Sequence, residues 1–125
     1  MTALVEVEMR ALKWYSAIVF SLFAFLMADQ LATGQAAGQP IDRVHALVAL
    51  VLITPVLYCL LELAIGKSPN RVLLLYAAIR ATYMIIDWTL QVAFQVGNVA
   101  WVLAYLLSDI PVAYYLWKTT KKVLA

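Results

Sequence analysis

The chain has 125 residues, of which 66% are hydrophobic and 13% charged, against about 45–50% apolar and about 25% charged in an ordinary soluble domain. Those figures argue against a soluble globular protein, and four Gly, four Pro and one Cys argue against collagen-like and disulfide-scaffold chains. A formal charge of +2, spread over short segments, gives no basic face for a nucleic acid, and the length allows one domain.

A helix that crosses a bilayer needs about 20 mostly apolar residues, and the sequence divides into four such stretches. Residues 1–13 mix Val5, Val7, Met9 and Leu12 with Glu6, Glu8, Arg10 and Lys13. They read as the first turns of span one, with a helix lying on the membrane surface as the alternative. Span one is expected over residues 14–33. A cleaved signal peptide is a rival reading of residues 1–33, opposed by the two Glu ahead of the apolar run and by Asp29 late in it. After the breaker stretch Gly34 to Pro40, span two is expected over 44–65, with Pro55 kinking its middle. The turn Gly66-Lys-Ser-Pro-Asn70 leads to span three, 71–92, and Val96-Gly97-Asn98 to span four, 99–117. No internal repeat of fixed period is evident, which argues against a transporter built from inverted repeats.

Lys and Arg are retained on the cytoplasmic side of a membrane. Arg10, Lys13, Lys67, Arg71, Lys118, Lys121 and Lys122 all flank one end of the spans, and Arg43 alone flanks the other. The expected fold is therefore an all-α integral membrane four-helix bundle in the cell membrane, with both termini and the 66–71 turn cytoplasmic. Trp14, Tyr15, Tyr114, Tyr115 and Trp117 lie where interfacial anchors belong.

Ionisable groups within spans are costly, so they face the bundle interior and are candidates for function. The five here are Asp29, Glu62, Arg80, Asp87 and Asp109. At 100° per residue Tyr76, Arg80, Tyr83, Asp87 and Gln91 form one polar stripe on span three. Asn98, Trp101, Tyr105, Asp109 and Val112 share a side of span four, and Thr54, Tyr58 and Glu62 a side of span two. At about 1.5 Å per residue, Tyr58, Arg80 and Asp109 fall about 13 Å from the basic flank, and Asp29 and Asp87 about 24 Å. The matching depths predict an Arg80 ion pair with Asp109, Asp87 or both, and a looser Asp29–Asp87 approach. Glu62 is expected to pair with Lys67 at the interface. The single His, His45, is directed away from the Tyr58 row and reads as an interfacial or capping residue. Pairing that merely fixes helix packing is the bland account of the whole set.

One His and one Cys leave no metal-ligand spacing, no bis-His haem ligation and no resolving partner for Cys59. Phosphate-binding Gly loops are missing too. No metal and no cofactor is therefore expected.

The aromatic first span ending in an acid, Phe20-Ser-Leu-Phe-Ala-Phe-Leu-Met-Ala-Asp29, resembles the small four-helix DoxX-like membrane families. So does Thr54-Pro-Val-Leu-Tyr-Cys-Leu-Leu-Glu62, leading to the turn Lys67-Ser-Pro-Asn-Arg71. The resemblance extends over residues 14–117. The Gly-rich, basic first helix of DoxX itself is not present, so the resemblance implies the four-helix layout and carries over no functional residue.

The expected function is an intramembrane polar pocket that binds a small lipophilic substrate or converts it by acid–base chemistry, such as isomerisation or epoxide opening. Asp109 or Asp87 would be the base, Arg80 its orienting charge, and Tyr58, Tyr83 or Tyr105 donors to a substrate oxygen. Trp101, Asn98, Gln91 and Thr54 would line the pocket. A proton-coupled exporter working as a homodimer, with Asp29 as coupling acid, is the alternative. A further one is an accessory subunit of a membrane redox complex.

Overall fold

A computed structural model describes residues 2–36, 39–95 and 99–124, without the side chains of 2–7, 36, 39 and 124. The expected ligand residue Asn98 lies outside the described residues. Four helices carry the fold: α1 (Thr2–Thr33), α2 (Arg43–Ala64), α3 (Arg71–Ala93) and α4 (Val99–Leu124). Residues 2–13 are continuous with the rest of α1, as its first turns. A two-residue ribbon, β1 (Gln35–Ala36) paired antiparallel with β2 (Gln39–Pro40), joins α1 to α2. All four helices are long and apolar enough to cross a membrane.

Local chemistry sets the helix ends. The side chains of Asp42 and Asn70 accept from the N–H of Val44 and Val72, at 2.9 and 2.8 Å, occupying donors that a helix start leaves free. The α2 C-terminus closes as a Schellman motif, with Lys67 N–H on Glu62 O and Gly66 N–H on Leu63 O. Gly66 takes the positive φ, +87°, that this motif requires. Glu62 thus meets Lys67 through its backbone, and the expected side-chain pair does not form among the described residues. At the other end Gly34 has φ +70°, and the Arg43 guanidinium packs 3.0 Å from where a Cβ would stand. From there Arg43 donates to Ala32 O, placing a cation on the free carbonyls of α1.

The hairpins α1–α2 and α3–α4 each pack closely, and they meet along two seams, α1 against α4 and α2 against α3. The core is buried among the four: Phe20, Ile53, Val56, Leu60, Leu74, Val112 and Leu116 are its largest fully buried apolar members. The outward faces are also apolar, with Ile18, Phe25, Val51, Val72, Ile79 and Leu107 more than half exposed. A water-soluble bundle would carry charge there. The start of α1, the end of α4 and the 65–70 turn share one end, called basal below, with all the Lys and Arg residues except Arg80 and Arg43. The end of α1 with the start of α2, and the end of α3 with the start of α4, form the distal end.

The two hairpins repeat one another, a relation not evident from the sequence by inspection. With Tyr15 set against Tyr76, buried Ser16, Ala17, Phe20 and Phe23 correspond to buried Ala77, Ala78, Ala81 and Met84. With Pro55 set against Pro111, buried Ala46, Ile53, Val56, Leu60 and Ala64 correspond to buried Val102, Asp109, Val112, Leu116 and Thr120. Arg10 and Arg71, Ile18 and Ile79, Gln30 and Gln91, Leu50 and Leu106, and Tyr58 and Tyr114 are identical at matched positions. The hairpins run in the same direction, so the relation is an approximate two-fold along the bundle axis.

The repeat extends to the bonds that close the seams. A proline inside a helix removes a donor and opens the preceding turn, and membrane helices tolerate this when a neighbour supplies the missing partner. Tyr76 of α3 donates to Leu52 O, one turn before Pro55, at 2.6 Å. Tyr15 of α1 donates to Ser108 O, one turn before Pro111, at 2.9 Å. Each seam therefore has one tyrosine on the carbonyl three residues before a proline, next to the one whose helical donor the proline removes. Tyr15→Phe and Tyr76→Phe are each expected to cost about 0.5–1.5 kcal/mol in thermal or denaturant unfolding of detergent-solubilised protein. Because the tyrosines sit on different seams, the double variant should lose the sum, to within about 0.5 kcal/mol.

Candidate functional site

Between the distal halves of the helices lies a cavity of about 410 Å³, lined by all four. That volume is in the range of small-ligand sites, about 300–1,000 Å³. The imperfect repeat explains why it exists. Tyr105 of α4 fills the α1–α4 side, stacking edge-on to Phe23 at 5.8 Å and tilted on Trp88 at 5.7 Å, while Phe23 meets Trp88 at 5.6 Å. At the position of α2 matching Tyr105 stands Ala49, which lines the cavity with a methyl group where α4 has a ring. Val56, Leu60, Leu74, Ala77, Val112 and Leu116, all buried, close the bundle below it.

The walls are mainly apolar, with Leu26, Met27, Leu52, Ile53, Met84 and Val102 among them. Polar groups enter from three directions. Gln30 comes from the end of α1, His45 from the start of α2, and Arg80, Tyr83, Asp87 and Gln91 from successive turns of α3. The Arg80 guanidinium lies over the Tyr83 ring, 5.1 Å from its centroid, a cation–π contact that directs it distally. The Gln91 amide donates to Asp87 Oδ2 at 2.9 Å. Charged lining groups thus cluster on the α2–α3 side, opposite the aromatic triangle.

Of the residues expected to form a site, the structure brings Arg80, Tyr83, Asp87, Gln91 and Tyr105 to this cavity. It leaves others out. Asp29 and Tyr58 are exposed, as Tyr83 and Asp87 are, but unlike those two they do not line the cavity. Thr54 is exposed too, its hydroxyl donating back to Leu50 O at 2.7 Å. Trp101 stacks on Tyr105 at 6.2 Å from outside the cavity. Asp109 is fully buried, but it lies away from the cavity with neither carboxylate oxygen hydrogen-bonded.

The expected Arg80 ion pair with Asp109 or Asp87 is a correction, since no such pair forms among the described residues. Equal depth does not place two groups on one seam. Asp109 follows Ser108, which is held against α1 by Tyr15, whereas Arg80 opens toward α2. Gln30 and His45, and the aromatic and apolar lining that includes Phe23, Met27 and Trp88, were not legible as site residues in the sequence. Matching Gln30 with Gln91 across the repeat would have found the first. His45 is exposed in the first turn of α2, as an interfacial residue is, and lines the cavity as well.

No family model matches the chain, and neither the curated proteins nor the solved structures contain a significant match to it.

Proposed function

We propose that this chain is a four-span membrane protein, with both termini cytoplasmic, whose intramembrane cavity binds a small lipophilic molecule. The observation that carries the reading is the cavity itself, with apolar and aromatic walls and a few convergent polar groups. Membrane placement rests on four apolar helices whose outward faces are apolar. Orientation rests on the basic residues gathered at the basal end.

The lining also suits acid–base conversion of the bound molecule, such as isomerisation or epoxide opening. In that chemistry Asp87 is the proton-transfer group, and the hydroxyls of Tyr83 and Tyr105 are donors to a substrate oxygen. The hairpin repeat favours a second reading, a carrier. Parallel repeats with a site at their interface are a common transporter plan, and here the cavity is closed basally by packed core. In that reading Asp87, which lines the cavity, replaces Asp29 as the coupling acid.

Mass spectrometry of molecules extracted from protein purified in mild detergent tests the binding reading. A lipophilic compound in near-stoichiometric amount is expected. Recovery of nothing but bulk phospholipid and detergent, in the proportions of the surrounding membrane, would rule the reading out. Ligand counterflow in sealed vesicles separates the carrier from the enzyme.

A further inference from the structure

Among the described lining residues Arg80 is the only Lys or Arg, and it forms no ion pair with Asp87, the one lining carboxylate. Its Nε is buried with no hydrogen-bond partner. Asp87 is turned to the Gln91 amide, and Asp109 lies outside the cavity. The matching position of the other hairpin is Val19, part of the apolar core, so the repeat did not require a cation here. The guanidinium carbon lies 5.1 Å from the centroid of the Tyr83 ring, and the edge of a guanidinium presents two parallel N–H donors that match a carboxylate.

Building on the proposal that the cavity binds a lipophilic molecule, we propose that its ligand is an amphipathic monocarboxylate. The carboxylate pairs with the edge of Arg80, and the apolar body lies against Phe23, Met27, Trp88 and Tyr105. Charge selects the class. A neutral ligand leaves the Arg80 cation unpaired in a largely apolar site. A phosphate dianion brings a second negative charge next to Asp87, with no further Lys or Arg to meet it. Gln30, His45 and Gln91 lie toward the distal mouth, where they provide hydrogen bonds beyond the carboxylate.

The test is calorimetric titration of the full-length protein in phosphatidylcholine nanodiscs with three matched probes, 4-phenylbutyrate, 4-phenylbutanol and 4-phenylbutylamine. The acid is expected to bind at least tenfold more tightly than the alcohol, and the amine not at all. Arg80→Gln should bring the acid down to the affinity of the alcohol, while Arg80→Lys keeps part of the preference. The wild-type comparison needs no variant to fold. Equal binding of acid and alcohol, or an acid preference that survives Arg80→Gln, overturns the carboxylate assignment and leaves the lipophilic cavity standing. Failure of all three probes to bind overturns both.

Discussion

Ala49→Phe is expected to yield a folded protein that no longer retains a small molecule through purification. Ala49 is half-buried on the cavity wall of α2, and its counterpart on α4 is Tyr105, whose ring already packs in the bundle against Phe23 and Trp88. The fold therefore accommodates an aromatic side chain at this register on one side of the two-fold. Supplying it on the other side puts a ring into the cavity. Because the phenyl group enters existing space rather than a packed core, overpacking costs of about 1–3 kcal/mol should not arise. The melting temperature should hold or rise while ligand occupancy, read by native mass spectrometry, falls at least tenfold. Unchanged occupancy in a folded Ala49→Phe protein would place the ligand elsewhere.

Asp109→Leu is expected to stabilise the protein. The carboxylate is fully buried, neither oxygen has a partner, and the matching residue on α2 is Ile53, equally buried and apolar. A buried polar group left unsatisfied costs about 1–3 kcal/mol, and an apolar side chain of similar branching removes that cost. Denaturant unfolding in detergent should shift by about that amount. Since Asp109 is not among the cavity-lining residues, ligand occupancy should be unchanged. Loss of activity or occupancy in a stabilised Asp109→Leu protein would instead give this acid a functional role that the cavity does not reveal.

The two variants probe one asymmetry. An approximate two-fold relates the hairpins, and the site lies where the halves differ. Ala49 faces Tyr105, Val19 faces Arg80, and Leu26 faces Asp87 across it. A symmetric version of this bundle would have either two small gaps or none, and no charge inside. The seam tyrosines, by contrast, are alike in both halves, as expected for parts whose role is to hold the hairpins together at proline-opened turns.

Much of the α3 contribution to the site was legible in the sequence. Arg80, Tyr83, Asp87 and Gln91 recur at helical spacing on a helix whose other faces are apolar, so they share one stripe, and that stripe borders the cavity even though Tyr83 and Asp87 stay exposed. The stripes on α2 and α4 misled for a physical reason. Tyr58 and Thr54 are polar, but a hydroxyl can satisfy itself locally, as Thr54 does on Leu50 O, or reach the interface, so polarity does not force a residue inward. Counting residues from the basic flank gave depth along each helix and no information on rotation about its axis. That is why Asp109 and Arg80 matched in depth and yet do not meet.

Composition and spacing by themselves determined four long apolar helices, their connections, and the segregation of basic residues to one end. These are demands of chain length and of apolar solvent on the backbone, and every residue contributes to them locally. Only the tertiary structure decided which face of each helix turns inward, that the hairpins are repeats, and that a cavity lies beside Arg80. When the outside of a bundle is as apolar as its core, hydrophobicity no longer distinguishes the faces. Shape complementarity between neighbouring helices settles the rotation instead.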